Sequence, residues 1–209
     1  MLTPDTPLLV CGIAGSLRRA SFNRALLEAA RELAPDGTEV RIFDRMADVP
    51  LFNADVEADG DPEPVQALKR AIAEADALLV ATPEYNHGLP GVLKNAIDWA
   101  SRPAPTAVLA GKPAAIFGAS PGITGTARAQ SQLRQAFAST GTPVLPQPEI
   151  LVYRAHEKTD ADGRLTDEKT RAYVATLLGQ LADWTRRLRQ EQGAAVASPE
   201  STATSGSPP

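Results

Sequence analysis

Two kinds of hydrophobic pattern alternate along the chain. Leu8–Ala14 and Ala77–Ala81 are short and almost wholly apolar, which is how a strand buried on both faces of a sheet reads. Residues 113–118 read the same way. Residues 39–44 alternate through Val40 and Ile42, and less cleanly Phe43, as a second strand reached by a right-handed crossover would. Between these runs the apolar positions recur at helical spacing. Ala25, Leu26, Ala29, Ala30 and Leu33 define a first helix that Ser21 or Asn23 can cap and that Pro35-Asp36-Gly37 ends. Residues 65–74 make a second helix with Pro64 in its first turn. In residues 91–101, Val92, Ala96 and Trp99 fall on one side and Lys94 and Asp98 form an i, i+4 pair on another. Residues 126–139 form a helix closed by Gly141, and Tyr173, Leu177, Leu178, Leu181, Trp184 and Leu188 mark a long final helix over residues 166–190, capped at Thr166-Asp167.

The remaining segments are less regular. Residues 144–152 contain Pro146 and Pro148 and suit an edge strand or extended arm better than a central strand. Residues 45–64 are a long, acidic, proline-bearing connection, and such loops in compact domains are either mobile or functional. The order is five β/α units without an internal repeat, which predicts an α/β, doubly wound, five-stranded parallel sheet with helices on both faces. In the flavodoxin-like strand order 2-1-3-4-5, the polar turns after the first, third and fourth strands lie along one sheet edge beside the switch point. They therefore make one ligand site. One domain is expected over residues 1–191, and a disordered Ala/Ser/Thr/Pro tail over residues 192–209.

Composition narrows the partners. The 209 residues are 43% hydrophobic and 22% charged, ordinary globular values, with a net charge of -4. That balance argues against a nucleic-acid partner, which needs a basic surface. The single Cys11 lies in the first apolar run, so an internal disulfide is excluded and a reducing compartment is expected, with Cys11 a small core residue. No run approaches the roughly 20 apolar residues of a membrane helix, and the first ten residues lack the basic start of a signal peptide. A cytoplasmic protein without a membrane partner is expected.

Chemistry concentrates in the three turns. The first offers backbone N–H groups at a helix N-terminus, the Ser16 and Ser21 hydroxyls, the Asn23 amide and Arg18, which are donors suited to a phosphate monoester. It lacks the Gly-Lys-Ser/Thr ending of a nucleoside-triphosphate loop and the third glycine of a dinucleotide fingerprint. The plainer alternative has Ser21 only capping a helix and Arg18 solvated. In the second turn, backbone amides from Pro83 onward and the Tyr85 ring can lie against a flat heterocycle, with Glu84 and Asn86 at the rim; Tyr85 suits a core or an interface equally. His87 has no second His or Cys near it in sequence to share a metal, and reads as exposed or at an interface. The third turn, 119–125, is built of small residues that let a planar ligand approach the backbone. A phosphate pocket beside a flat slot describes a mononucleotide with a large ring.

The run Gly15-Ser16-Leu17-Arg18-x-x-Ser21-x-Asn23, then Pro83-Glu84-Tyr85-Asn86-His87-Gly88-x-Pro90-Gly91-x-Leu93-Lys94-Asn95-Ala96-Ile97-Asp98-Trp99-x-Ser101-Arg102-Pro103, then Gly111-Lys112-Pro113, closely resembles the NADPH-dependent FMN reductase family. That family includes quinone, chromate and azo-dye reductases, and the likeness covers about residues 8–190. It implies a flavodoxin-like fold holding FMN noncovalently. Ser16, Arg18, Ser21 and Asn23 would hold the phosphate, Pro83, Glu84, Tyr85 and Asn86 would cradle the isoalloxazine, and Ser120 and Gly122 are the matching third-turn positions. NADPH or NADH would pass hydride to flavin N5, and a quinone, chromate, azo or flavin acceptor would then take the electrons in a ping-pong cycle. No side-chain acid or base is demanded. Arg102 is a candidate contact for the nicotinamide nucleotide or an anionic acceptor, or else an ion-pair partner at a subunit interface. The resemblance further implies a homodimer or homotetramer. The competing functions are a flavodoxin-type electron carrier, and a noncatalytic scaffold that has lost the flavin.

Overall fold

The computed structural model describes residues 7–104 and 106–196. Within them five strands, β1 (Leu8–Ala14), β2 (Thr38–Phe43), β3 (Ala77–Ala81), β4 (Ala114–Ala119) and β5 (Ile150–Val152), form one parallel sheet in the order β2-β1-β3-β4-β5. The helices are α1 (Phe22–Glu32), α2 (Ala54–Ala58), α3 (Glu63–Glu74), α4 (Gly91–Ala100), α5 (Ala127–Ser139) and α6 (Glu168–Val196). This is the doubly wound parallel sheet that the β/α alternation predicts, in the flavodoxin-like order that the family resemblance implies.

Period-two alternation along the central strands feeds two cores. Val10, Leu79, Ala115 and Phe117 face α1 and α6, where they meet Leu26, Leu27, Leu177 and Leu181. Cys11, Ile13, Leu78, Val80 and Ile116 face the other side, against Leu68 and Ile72 of α3, Leu93 and Ile97 of α4, and Leu133 and Phe137 of α5. All five residues of β3 are buried, so the strand has no polar position to give up. Leu78 and Leu79, on opposite faces, each contribute roughly 1.5–3 kcal/mol through burial. Burial on both faces fixes this strand at the sheet centre. Its carboxyl end is thereby placed between β1 and β4.

Element ends differ from the sequence expectation by a residue at β2 and β4, and more elsewhere. On α4 the buried face is Leu93, Asn95, Ala96, Ile97, Trp99 and Ala100, with Val92 only half-buried. The 45–64 connection carries a 3-10 turn at Met46–Asp48 and the short helix α2. It is pinned from α4: Asn95 Oδ1 accepts from the Phe52 N–H at 2.7 Å, while Asn95 Nδ2 and Trp99 Nε1 both donate to the Pro50 carbonyl, at 2.9 and 2.8 Å. Of the 144–152 stretch only β5 pairs as a strand, with Val144 adding one bridge to Ala114. The last helix continues to Val196, past the expected end near residue 190 and through Gly193. The rest of the expected disordered tail, residues 197–209, lies outside the described residues. Among the described helices none is long and apolar enough to cross a membrane.

Candidate functional site: a cleft at the carboxyl edge of the sheet

The first turn leaves β1 with the Gly15 N–H bonded to the Ala81 carbonyl at 2.8 Å, so it starts against the end of β3. Ser21 is the N-cap of α1, its Oγ accepting from the Arg24 N–H at 3.3 Å. A helix N-terminus has more N–H groups than its own turn can satisfy, and among the described residues those of Phe22 and Asn23 have no hydrogen-bond partner. The exposed Arg18 guanidinium lies 4.8 Å from the centre of the Phe22 ring and has no carboxylate within 4.0 Å among the described residues. Asn23 is the exception in this group. It is 2% exposed, and its amide bridges to the end of β4: Nδ2 donates to the Ala119 carbonyl and Oδ1 accepts from the Ala119 N–H, both at 2.9 Å. One N–H of the amide is left for a ligand. Its chief work is to hold the first turn against the third.

The second turn leaves β3 through the buried Thr82 and Pro83 and folds back on itself at Tyr85 and Gly88, whose N–H and carbonyl groups exchange hydrogen bonds of 3.2 and 3.0 Å. Asn86 and His87 between them have φ of 49° and 62°, the left-handed pair that a tight two-residue loop requires. Tyr85 is half exposed, and its hydroxyl shares a 3.0 Å hydrogen bond with Ser16 Oγ, joining the second turn to the first. The Glu84 carboxylate turns to the N-terminus of α5, accepting from the N–H groups of Arg128 at 2.9 Å and Ala129 at 3.2 Å. His87 is exposed, 3.7 Å from Glu84. The third turn is held to the end of β5: Ser120 N–H donates to the Val152 carbonyl, and the Ser120 and Gly122 carbonyls accept from Ala155 and Arg154. At Gly118, just before it, a Cβ would collide with the Thr82 carbonyl oxygen and with Thr126 Oγ1, so glycine lets β3, β4 and the approach to α5 close up.

The three turns enclose a cleft of about 180 Å³ lined by Ser16, Arg18, Ser21, Asn23, Pro83, Glu84, Tyr85 and Ser120, all expected from the sequence. Phe22, Ala119 and Pro121 line it too. Phe22 occupies the unassigned position between Ser21 and Asn23; its place next to the capping serine was the available signal. Asn86 and Gly122 shape their turns without lining the cleft. Arg102 is not brought to it: its Nε bonds both carboxylate oxygens of Glu57 on α2, at 3.2 and 3.1 Å. A larger cleft of about 780 Å³ lies on the far side of the first turn and shares Arg18, Ser21 and Phe22 as a wall, but its arginines include Arg24 and Arg171, already paired with Glu28 and Glu32. Of the two, the smaller cleft is the one in which all three turns meet, with Ser16 and Tyr85 in its wall. Cys11 is remote from both, and burial pushes its thiol up to about 12, so it holds no thiolate at neutral pH.

Comparison with known proteins agrees with this architecture. An NAD(P)H-dependent FMN reductase of Pseudomonas aeruginosa is 49% identical over 180 residues, covering 86% of this chain and 96% of that protein. A 2-hydroxy-1,4-benzoquinone reductase of a Burkholderia species is 44% identical over 182 residues, covering 87% and 98%. Among solved structures, a flavoenzyme NAD(P)H:(acceptor) oxidoreductase from Paracoccus denitrificans superposes with a TM-score of 0.78 at 39% identity, covering 86% of this chain and 98% of that one. The NADPH-dependent FMN reductase family matches residues 8–157. With that span, with relatives of this identity over nearly their full lengths, and with the three turns meeting in one cleft, the chain belongs to the NADPH-dependent FMN reductase family.

Proposed function

We propose that the protein is an NAD(P)H-dependent oxidoreductase that holds FMN in the cleft and reduces a quinone or a similar small acceptor. The observation that carries this is the Ser16–Tyr85 hydrogen bond at 3.0 Å, which joins a phosphate-type donor set to an aromatic wall. The donor set fits FMN. Ser16, Ser21, the free first-turn N–H groups of α1 and Arg18 would hold a phosphate monoester, and the backbone from Pro83 to Asn86 with the Tyr85 ring would lie along the isoalloxazine. Bound FMN would supply the redox chemistry, accepting hydride at N5 from the nicotinamide and giving electrons to the acceptor.

What remains for the chain is binding, orientation and access. Hydrogen bonds between the turns fix the cleft before a ligand arrives, so little ordering is left for the bound state. At about 180 Å³ it is smaller than the roughly 300–1,000 Å³ of a typical ligand pocket, so it would grip one edge of the cofactor and leave a ring face open. Donor and acceptor would then use that face in turn, as a ping-pong cycle needs. No proton-transferring side chain is called on. For Arg102 to meet a nucleotide or an anionic acceptor it would have to exchange Glu57 for it. A homodimer or homotetramer belongs to the same proposal: Leu51, 83% exposed, projects from a segment pinned by Asn95 and Trp99, as a subunit contact would.

Initial rates at varied NADPH and several fixed concentrations of a benzoquinone test the cycle. Parallel double-reciprocal lines are expected. Intersecting lines would mean that donor and acceptor bind together, contrary to a single shared face.

A further inference from the structure

We infer that Glu84 is a positioning residue, which sets the shape of the flavin-facing turn by capping the N-terminus of α5 from outside the helix. This rests on the proposal that FMN binds in the cleft. The first turn of α5 needs acceptors, and its own N-cap residue does not supply one: Thr126 has no capping hydrogen bond, and its Oγ1 accepts instead from Gln130 Nε2 at 2.9 Å. Glu84, 44 residues earlier, fills the gap with Oε2, while Oε1 takes the Arg128 guanidinium at 3.3 Å. Its side chain is only 7% exposed. The helix end and Arg128 together offset its charge, which is how a carboxylate can line a cleft built for an anionic cofactor.

A second clamp lies one turn further along the same helix. Gln132 Oε1 accepts from the Leu89 N–H at 2.8 Å, just past the other end of the turn. The two clamps bracket residues 85–88, where Asn86 and His87 are kept in a conformation that side-chain-bearing residues avoid. Gln132 does not line the cleft. An effect of Gln132 on the cofactor is therefore expected to travel through the turn that its hydrogen bond to the Leu89 N–H anchors.

The test is the FMN dissociation constant of the full chain and its variants, read from recovery of free-flavin fluorescence on dilution of the loaded protein. Glu84→Ala should weaken FMN binding about tenfold, Gln132→Ala several-fold, and Glu84→Gln by no more than about threefold, because the amide oxygen still accepts from the two N–H groups. Melting of the flavin-free variants, recorded alongside, distinguishes a lost helix cap from a lost turn geometry. A lower melting temperature with unchanged FMN affinity in Glu84→Ala would overturn the inference. So would a loss in Glu84→Ala with none in Gln132→Ala, or a Gln variant as weak as the Ala variant. A wild-type chain that binds no FMN would remove the underlying proposal and this inference with it, whereas normal wild-type binding with an unaffected Glu84→Ala would remove this inference alone.

Discussion

Arg18 carries the one positive side-chain charge lining the cleft, and it has no ion-pair partner among the described residues. A charge-assisted contact to a phosphate is worth roughly 1.5–3 kcal/mol, so Arg18→Ala should weaken FMN binding by about one to two orders of magnitude in a fluorescence titration. Unchanged affinity would take Arg18 out of the site. At this scale the cleft lining was legible as a group: Ser16, Arg18, Ser21, Asn23, Pro83, Glu84, Tyr85 and Ser120 all line it. Their long-range hydrogen-bond partners were not. Asn23 is occupied by Ala119, Glu84 by Arg128 and Ala129, and Arg102 by Glu57, each tens of residues away in sequence. No local pattern announces such a pairing.

Among the elements, α6 begins with a cap that is open to a pH test. Asp167 Oδ2 accepts from the Thr170 hydroxyl and N–H, at 2.5 and 2.8 Å, and these hydrogen bonds hold the Asp167 carboxyl below its usual range. A carboxyl depressed in the folded state gives stability that is present above its unfolded value, about 3.9, and is lost as the pH falls through the folded value. Asp167→Asn keeps an acceptor but does not titrate. It should therefore lose less stability than the wild type between about pH 5 and pH 2, in urea unfolding at fixed ionic strength. An identical acid slope would show that the cap contributes nothing to it. Strands β1, β3 and β4 were readable because burial on both faces leaves a nearly continuous apolar run. The 45–64 segment was not, since its backbone is satisfied by Asn95 and Trp99 on α4, and its helix α2 buries none of its own residues.

In the whole molecule, the strand order and the site are one fact. Placing β3 between β1 and β4 brings three polar turns, widely separated in sequence, to one edge, and Gly118, Asn23 and the Ser16–Tyr85 bond close them on each other. The parallel sheet followed from five β/α units and its strand order from the family resemblance, but the closeness of the turns depends on long-range contacts that only the folded chain displays. The direct test of the central claim, that this edge holds FMN where NAD(P)H can reduce it, is the visible spectrum of the FMN-loaded protein before and after one equivalent of NADPH without oxygen, then after a benzoquinone. The yellow absorbance should bleach with the nucleotide and return with the quinone. Bound flavin that NADPH leaves coloured would contradict the account.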